Sequence, residues 1–288
     1  MTSFFLFIFG ASIGSFLNVI SLRYSPESGF KIKNLLGRSH CMNCKKTLAW
    51  RELIPLLSFF LQKGRCLNCK SRISWQYPLV EFISGLIFLF PLYLISNSQF
   101  PISDYYFLFS GIIWILVFTA FLLISVIDYR YYIIPDRLVF FLAILGVGNI
   151  LLKIFYGQFG ILRGSFLENY ALLFGLRDYI WLNHAIAALF AAVFFGFIIL
   201  ATRGRGMGMG DLKLIAALGI LFGWPDILFA IVFSFLMGSI ISLWLLIFQD
   251  KTMKSRIPFG PFIILGSIAL VFFGKGILGA YFQLFNLL

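Results

Sequence analysis

Long apolar runs constrain this chain more than any other feature. They fall at roughly 2–22, 79–96, 106–127, 138–154, 181–201, 212–223, 227–248 and 258–274. A run of about twenty apolar residues matches the hydrocarbon thickness of a bilayer. Only a helix or a closed barrel satisfies its own backbone polar groups there. Composition agrees, with 61% hydrophobic and 12% charged residues, against roughly half and a quarter in soluble domains. The expectation is an all-α polytopic membrane protein with about eight transmembrane helices. The sixth run is short and Gly-interrupted, so it is expected tilted or partly re-entrant inside the bundle. The stretch Ile277 to Leu288 is too short to span and is expected at the interface. The first run lacks a basic flank and a small-residue cleavage site, and reads as a retained first helix.

The net charge of +12 raises nucleic acid as a partner, but its distribution argues against it. With the N-terminus outside, 19 Lys and Arg residues fall on the inner segments 23–78, 128–137, 202–213 and 249–257, and only Lys153, Arg163, Arg177 and Lys275 fall outside. That is the positive-inside pattern of a multi-pass protein of a cytoplasmic membrane. The basic inner segment also suits anionic lipid headgroups. No role is assigned to the outer excursion 155–180. In the first run Gly10, Gly14 and Asn18 share one helix face, which reads as a packing seam.

All four cysteines lie in the inner segment 23–78, as Cys41-Met-Asn-Cys44 and Cys66-Leu-Asn-Cys69. A reducing compartment disfavours disulfides. Two CxxC pairs supply four thiolates, a closed tetrahedral set for a structural Zn²⁺ with no position left for substrate. About 55 residues form little core alone, and a metal clamp compensates. The following residues, Lys45 and Lys70, place positive charge beside the thiolates. The chain thus divides into a first helix (1–22), a cytosolic tetracysteine domain (23–78) and a transmembrane bundle (79–288).

Acidic groups are scarce, and ionisable groups beside membrane spans are functional candidates. Asp128 ends the third run and Asp211 opens the sixth, so both belong at the same inner edge. Adjacent carboxylates share a proton, and the pair can divide into a base that activates water and an acid toward a peptide carbonyl. Gly208 and Gly210 precede Asp211 and would let backbone approach closely or bend. Taken alone, Asp211 could be a helix cap and Asp128 could pair with Arg130 or Arg137. Asp136, after Pro135, is expected to cap the fourth helix or support the site. Lys213 is expected to snorkel or to orient Asp211.

At this point the chain resembles the bacterial prepilin peptidases, the type IV leader peptidases. The matching stretches are Gly14-Ser-Phe-Leu-Asn-Val19, the two CxxC pairs, Tyr77-Pro-Leu-Val-Glu81, the run Asp128 to Asp136, Gly208-Met-Gly-Asp-Leu-Lys213 and Pro258-Phe-Gly-Pro-Phe262. They occur in the family's order over nearly the whole chain. The resemblance implies cleavage of the basic leader of type IV prepilins or pseudopilins at the cytoplasmic membrane face. It also implies N-methylation of the new N-terminus from S-adenosylmethionine. It puts the catalytic aspartates at Asp128 and Asp211 and the zinc ligands at Cys41, Cys44, Cys66 and Cys69. No glycine-rich fingerprint marks an S-adenosylmethionine pocket. Three rivals stand beside this reading: a peptidase without methyltransferase activity, a polytopic transporter with a zinc-knuckle regulatory segment, and a non-catalytic assembly factor whose zinc knuckles dock a partner, which gives no reason for the aspartate pair. The transporter predicts midplane acids and paired repeats, and the sequence contains neither.

Overall fold

The computed structural model describes residues 1–27, 29–30, 37–92, 104–156, 165–167, 179–248 and 257–284. The described residues form helices and isolated β-bridges, with no strand among them. The helices are α1 Thr2–Arg23, α2 Leu57–Leu61, α3 Gln76–Ile87, α4 Asp104–Tyr131, α5 Asp136–Phe155, α6 Ile180–Ala201, α7 Met209–Phe222, α8 Asp226–Phe248 and α9 Gly260–Leu284. Among them α1, α4, α5, α6, α8 and α9 are long and apolar enough to cross a membrane. The second and sixth runs form shorter helices: α3, extended by a further turn to Leu92, and α7.

The chain divides into two compact units, Met1–Ile127 and Asp128–Leu288. In the first, α1 packs on α3 along the expected small-residue seam. A Cβ at Gly10 would lie 2.7 Å from the Ser84 carbonyl oxygen, and one at Gly14 2.8 Å from Glu81 Cα. Polar groups bond across this seam: the Ser84 hydroxyl donates to Gly10 O at 2.7 Å, and Asn18 Nδ2 donates to Tyr77 O at 3.2 Å. Close backbone contact and interhelical hydrogen bonds are what hold helices together in lipid.

In the second unit α7 packs between α5 and α6, and α8 packs along α9. The buried layer includes Leu214, Ile215, Leu218, Ile227 and Ile263. Fourteen residues of α7 rise roughly 21 Å, too little to span alone. The helix survives because its neighbours enclose it: Gly219 lies so close to Ala188 that a Cβ would sit 2.5 Å from that Cα.

Two expectations need correction or restriction. The stretch from Ile277 is not a separate interfacial piece, because α9 runs unbroken through Gly274 and Gly276 to Leu284. Gly274 is buried within 3.1 Å of Leu167 and 3.2 Å of Leu270, as measured from an added Cβ, so small size serves packing there. Of the excursion 155–180, most lies outside the described residues.

Candidate aspartate dyad and tetracysteine centre

Each aspartate is placed by a helix end. Asp128 sits in the last turn of α4, which closes on Tyr132: that residue takes φ 56° and donates its N–H to Asp128 O at 2.8 Å. The chain then runs extended through Ile134 to Pro135, the N-cap of α5. Asp211 is the third residue of α7, whose N-cap is Gly208. Both side chains are buried, at 4% and 9% exposure.

The two carboxylates are anchored alike. Asp128 Oδ2 accepts the Gly260 N–H at 3.0 Å, from the first residue of α9. Asp211 Oδ2 accepts the Gly208 N–H at 3.0 Å. Amides at helix N-termini lack intrahelical partners and favour negative charge. Among the described residues, Oδ1 of each aspartate carries no hydrogen bond. The two groups lie near enough to interact electrostatically.

Glycine packing sets this geometry. A Cβ on Gly260 would sit 2.6 Å from Asp128 Oδ2 and 3.2 Å from Ile134 Cδ1. One on Gly210 would sit 3.2 Å from Ile134 Cβ. Ile134, 7% exposed, is therefore wedged between the two glycines that adjoin the aspartates. Gly208 has φ −89°, open to any residue, and its added Cβ would be 3.5 Å from Asp211 Oδ2. The glycines thus permit close approach, with no left-handed bend at Gly208.

The other sequence candidates pair with each other. Lys213 Nζ donates to Asp136 Oδ1 at 2.8 Å, with side chains 47% and 71% exposed. Lys213 therefore has Asp136 as its ion-pair partner. Asp136 makes no cap hydrogen bond and lies in the first turn of α5, where its charge favours the helix N-terminus. Arg130 lies over the Tyr131 ring, 5.6 Å from its centroid. Gly260 and Ile134 were not singled out as site residues by the sequence reading. The glycine's position between Pro258 and Pro261, at a helix start, was the available signal.

The cysteines converge. All four Sγ atoms lie within 4.8 Å of one another, and Cys41 Sγ to Cys69 Sγ is 3.8 Å. A tetrahedral zinc with Zn–S of about 2.3 Å puts its sulfurs about 3.8 Å apart, so the residues fit the ion. Each CxxC closes the same turn: Lys45 and Lys70 take φ 59° and 57°, and their N–H groups donate to Cys41 O and Cys66 O, both at 3.0 Å. Local bridges His40–Thr47 and Arg65–Arg72 flank the turns. The Ser71 hydroxyl, 3.1 Å from Cys69 Sγ, lowers that thiol to about 6, which favours the ligating thiolate.

A further buried polar cluster escaped the sequence reading. Asp226, 1% exposed, accepts from the Ser165 hydroxyl at 2.5 Å and the Phe166 N–H at 3.0 Å. Lys153, also buried, interacts with it electrostatically. Beside it, Asn183 exchanges two 2.8 Å hydrogen bonds with the Trp224 backbone, and His184 Nδ1 lies 2.7 Å from Ile220 O.

Residues 8–95 match the family model described as the bacterial peptidase A24 N-terminal domain, and residues 115–243 match that of the type IV leader peptidase family. The chain is 29% identical over 280 residues to the prepilin leader peptidase/N-methyltransferase of Bacillus subtilis, covering 97% of each chain. It is 29% identical over 303 residues to the protein of that name from Pseudomonas aeruginosa, covering 96% of this chain and 92% of the relative. Identity to the Klebsiella pneumoniae protein of that name is 31% over 229 residues, covering 76% and 85%. No solved structure matches. An all-helical membrane architecture, a tetracysteine cluster and matches of this extent place the chain in the type IV leader peptidase family of membrane proteases.

Proposed function

We propose that the chain cleaves the basic leader of type IV prepilins or pseudopilins at the cytoplasmic membrane face, with Asp128 and Asp211 as the catalytic pair. The observation that carries this is the shared anchoring of the two buried carboxylates by Gly260 and Gly208 amides, which leaves Oδ1 of each for chemistry. Two such groups share one proton. The ionised member takes a proton from water as it attacks the scissile carbonyl, and the protonated member donates to the carbonyl oxygen. Proton return to the leaving amine releases the two peptides. Gly208 and Gly210 hold the backbone around Asp211, and the Lys213–Asp136 pair braces α7 against α5.

The proposed orientation has the N-terminus outside and the segment 23–78 in the cytosol, with 79–288 as the protease bundle. The inner-membrane location follows from the same charge bias. Zn²⁺ held by Cys41, Cys44, Cys66 and Cys69 supplies a structural clamp.

A prepilin carries an apolar helix after its leader. An open apolar groove of about 550 Å³ runs between α6 and α8, lined by Phe190, Phe194, Ile231, Val232, Phe235 and Leu236 among others. Phe235 packs on Phe259 at 5.3 Å between centroids, and Phe259 precedes Gly260. The groove thus shares Phe235 with the residue that precedes Gly260, and we assign it to that apolar helix. N-methylation of the new N-terminus from S-adenosylmethionine completes the reading, supported by the names of the relatives.

The test is cleavage of a prepilin by the full-length protein in liposomes. Asp128→Asn and Asp211→Asn should each abolish product while zinc content and thermal unfolding stay unchanged. Wild-type rates from either variant would remove that aspartate from the mechanism. Labelled S-adenosylmethionine should deposit its methyl group on the mature N-terminus. Cleavage without label would reduce the activity to peptidase alone.

A further inference from the structure

Between the two CxxC pairs, residues 53–62 carry no charge: Leu-Ile-Pro-Leu-Leu-Ser-Phe-Phe-Leu-Gln. The run is too short to span a bilayer, yet it is not folded away. Leu57, Phe60 and Leu61 are 53%, 62% and 71% exposed. Only Phe59 turns inward, against Trp75 at 4.9 Å between centroids and beneath Gly64. Three large apolar side chains displayed together by a five-residue helix need a partner that removes them from water.

The height of this segment identifies the partner. Leu56 donates its backbone N–H to Glu81 Oε2 at 2.7 Å. Glu81 is buried and is the sixth residue of α3, so it lies roughly 7 Å along the axis beyond Gln76. With α3 read as a membrane span, Leu56 is pinned at the depth where the bilayer begins. The pin is specific. Leu56 holds φ 61° and ψ −56°, and Leu57 N–H closes onto Pro55 O at 2.6 Å. That γ-turn is rarely populated and persists only when its surroundings impose it.

Charge completes the pattern. Arg51 and Glu52 precede the run, the Glu52 carboxylate accepting the Ala49 N–H at 2.8 Å, and Lys63 and Arg65 follow it, so cations outnumber the acid three to one. Trp75, 69% exposed, caps the start of α3, and Trp50, 69% exposed, lies under the Arg51 guanidinium at 5.3 Å. Tryptophan at the headgroup level and cations beside an apolar face are the marks of a segment lying in an anionic interface.

We infer that residues 53–62 form a membrane foot: Leu57, Phe60 and Leu61 insert into the leaflet nearest the tetracysteine centre, and Arg51, Lys63 and Arg65 bind its anionic headgroups. The foot would fix the zinc centre at the bilayer surface. It also gives the basic charge of this segment a partner other than substrate, so headgroups offset the repulsion of a basic leader.

The test uses full-length protein with benzoylphenylalanine at position 60, or at exposed Met42 in the first knuckle as a control. Each is reconstituted in vesicles of phosphatidylethanolamine and phosphatidylglycerol, checked for zinc content, and irradiated. Lipid adducts at position 60 should exceed those at 42 by at least about tenfold. Phosphatidylglycerol should be over-represented among them relative to its share of the vesicle. Lys63→Gln with Arg65→Gln should remove that excess and leave the adducts. Equal yields at 60 and 42, or adducts to added prepilin or to a second copy in place of lipid, would overturn the inference. So would adducts with no phosphatidylglycerol excess, for the headgroup part.

Discussion

The backbone N–H of Gly260 and Oδ2 of Asp128 meet at 3.0 Å, joining the start of α9 to the end of α4. No side chain fits between them, since a Cβ on Gly260 would stand 2.6 Å from that oxygen. Gly260→Ala must therefore move the carboxylate by several tenths of an ångström or break the bond. Displacements of about 1 Å at a reacting group cost on the order of 10²-fold in rate. We expect prepilin cleavage to fall by about 10–100-fold in kcat with zinc content and thermal unfolding unchanged. Gly208→Ala, whose Cβ meets Asp211 Oδ2 and Gly210 N at ordinary contact distances of 3.5 and 3.9 Å, should lose less than about fivefold. Steady-state kinetics of the two variants side by side would check the ordering. The reverse order would mean that Gly208, not Gly260, governs carboxylate position.

The tetracysteine centre should behave as a structural metal site. Four thiolates within 4.8 Å of one another would repel strongly without a cation, and metal binding then supplies folding free energy to the segment that holds them. The purified protein is expected to contain about one equivalent of zinc. Cys66→Ser or prolonged chelation should bring that near zero. Proteolysis should then open within 37–75, while α5 to α9 remain protected. Zinc analysis with limited proteolysis decides this. Full protection of the segment after metal loss would show that the chain holds its own shape there.

What could be read in advance divides along physical lines. Membrane helices announce themselves because each satisfies its own backbone, so α1, α4, α5, α6 and α8 match their apolar runs closely. The tetracysteine set was legible because each CxxC pair is a local spacing that suits a metal. The aspartates were legible as candidates because charges are rare beside spans. Their anchoring was not, since Gly260 is 132 positions from Asp128 and a backbone donor leaves no mark on composition. The apolar run 258–274 understates α9, which continues to Leu284, because a stretch too short to span by itself can still extend a packed helix, as Gly274 against Leu167 shows. The run 53–62 is too short for a span, and its tie to Glu81 through the Leu56 N–H is a contact between distant positions that spacing does not show.

The groove between α6 and α8 should govern affinity for the apolar part of a substrate rather than the chemistry. Val232 and Leu236 line it and are 45% and 49% exposed, so a larger side chain there fills space without disturbing the core. Leu236→Trp is expected to raise KM for a full-length prepilin by about 5–20-fold at nearly constant kcat. Cleavage of a short peptide that spans the leader junction but lacks the apolar helix should be unaffected. An unchanged KM for the prepilin would reassign the groove to lipid and leave the aspartate pair untouched.

The cluster around Asp226 lies beyond the far end of α7 from Asp211, and its role should be stability alone. The carboxylate is 1% exposed and ties Ser165 and Phe166 to the start of α8, and the buried Lys153 interacts with it electrostatically. Losing the acceptor leaves the Ser165 hydroxyl and the Phe166 N–H unsatisfied, at about 1–3 kcal/mol each, and leaves the Lys153 charge buried without the opposite charge near it, a loss that replacing Lys153 by an apolar group relieves. Asp226→Ala should therefore lower the thermal midpoint by on the order of 10 °C. Asp226→Ala combined with Lys153→Met should recover at least about half of that loss, although it deletes more polar contacts. Cleavage at a permissive temperature should stay within about twofold of wild type in both, since about 17 Å of helix separates this cluster from Asp211. Thermal unfolding in detergent across the four proteins of this cycle gives the coupling energy directly. An additive result, with the double variant as unstable as the two losses combined, would show that Ser165 and Phe166, not the Lys153 charge, are what Asp226 serves.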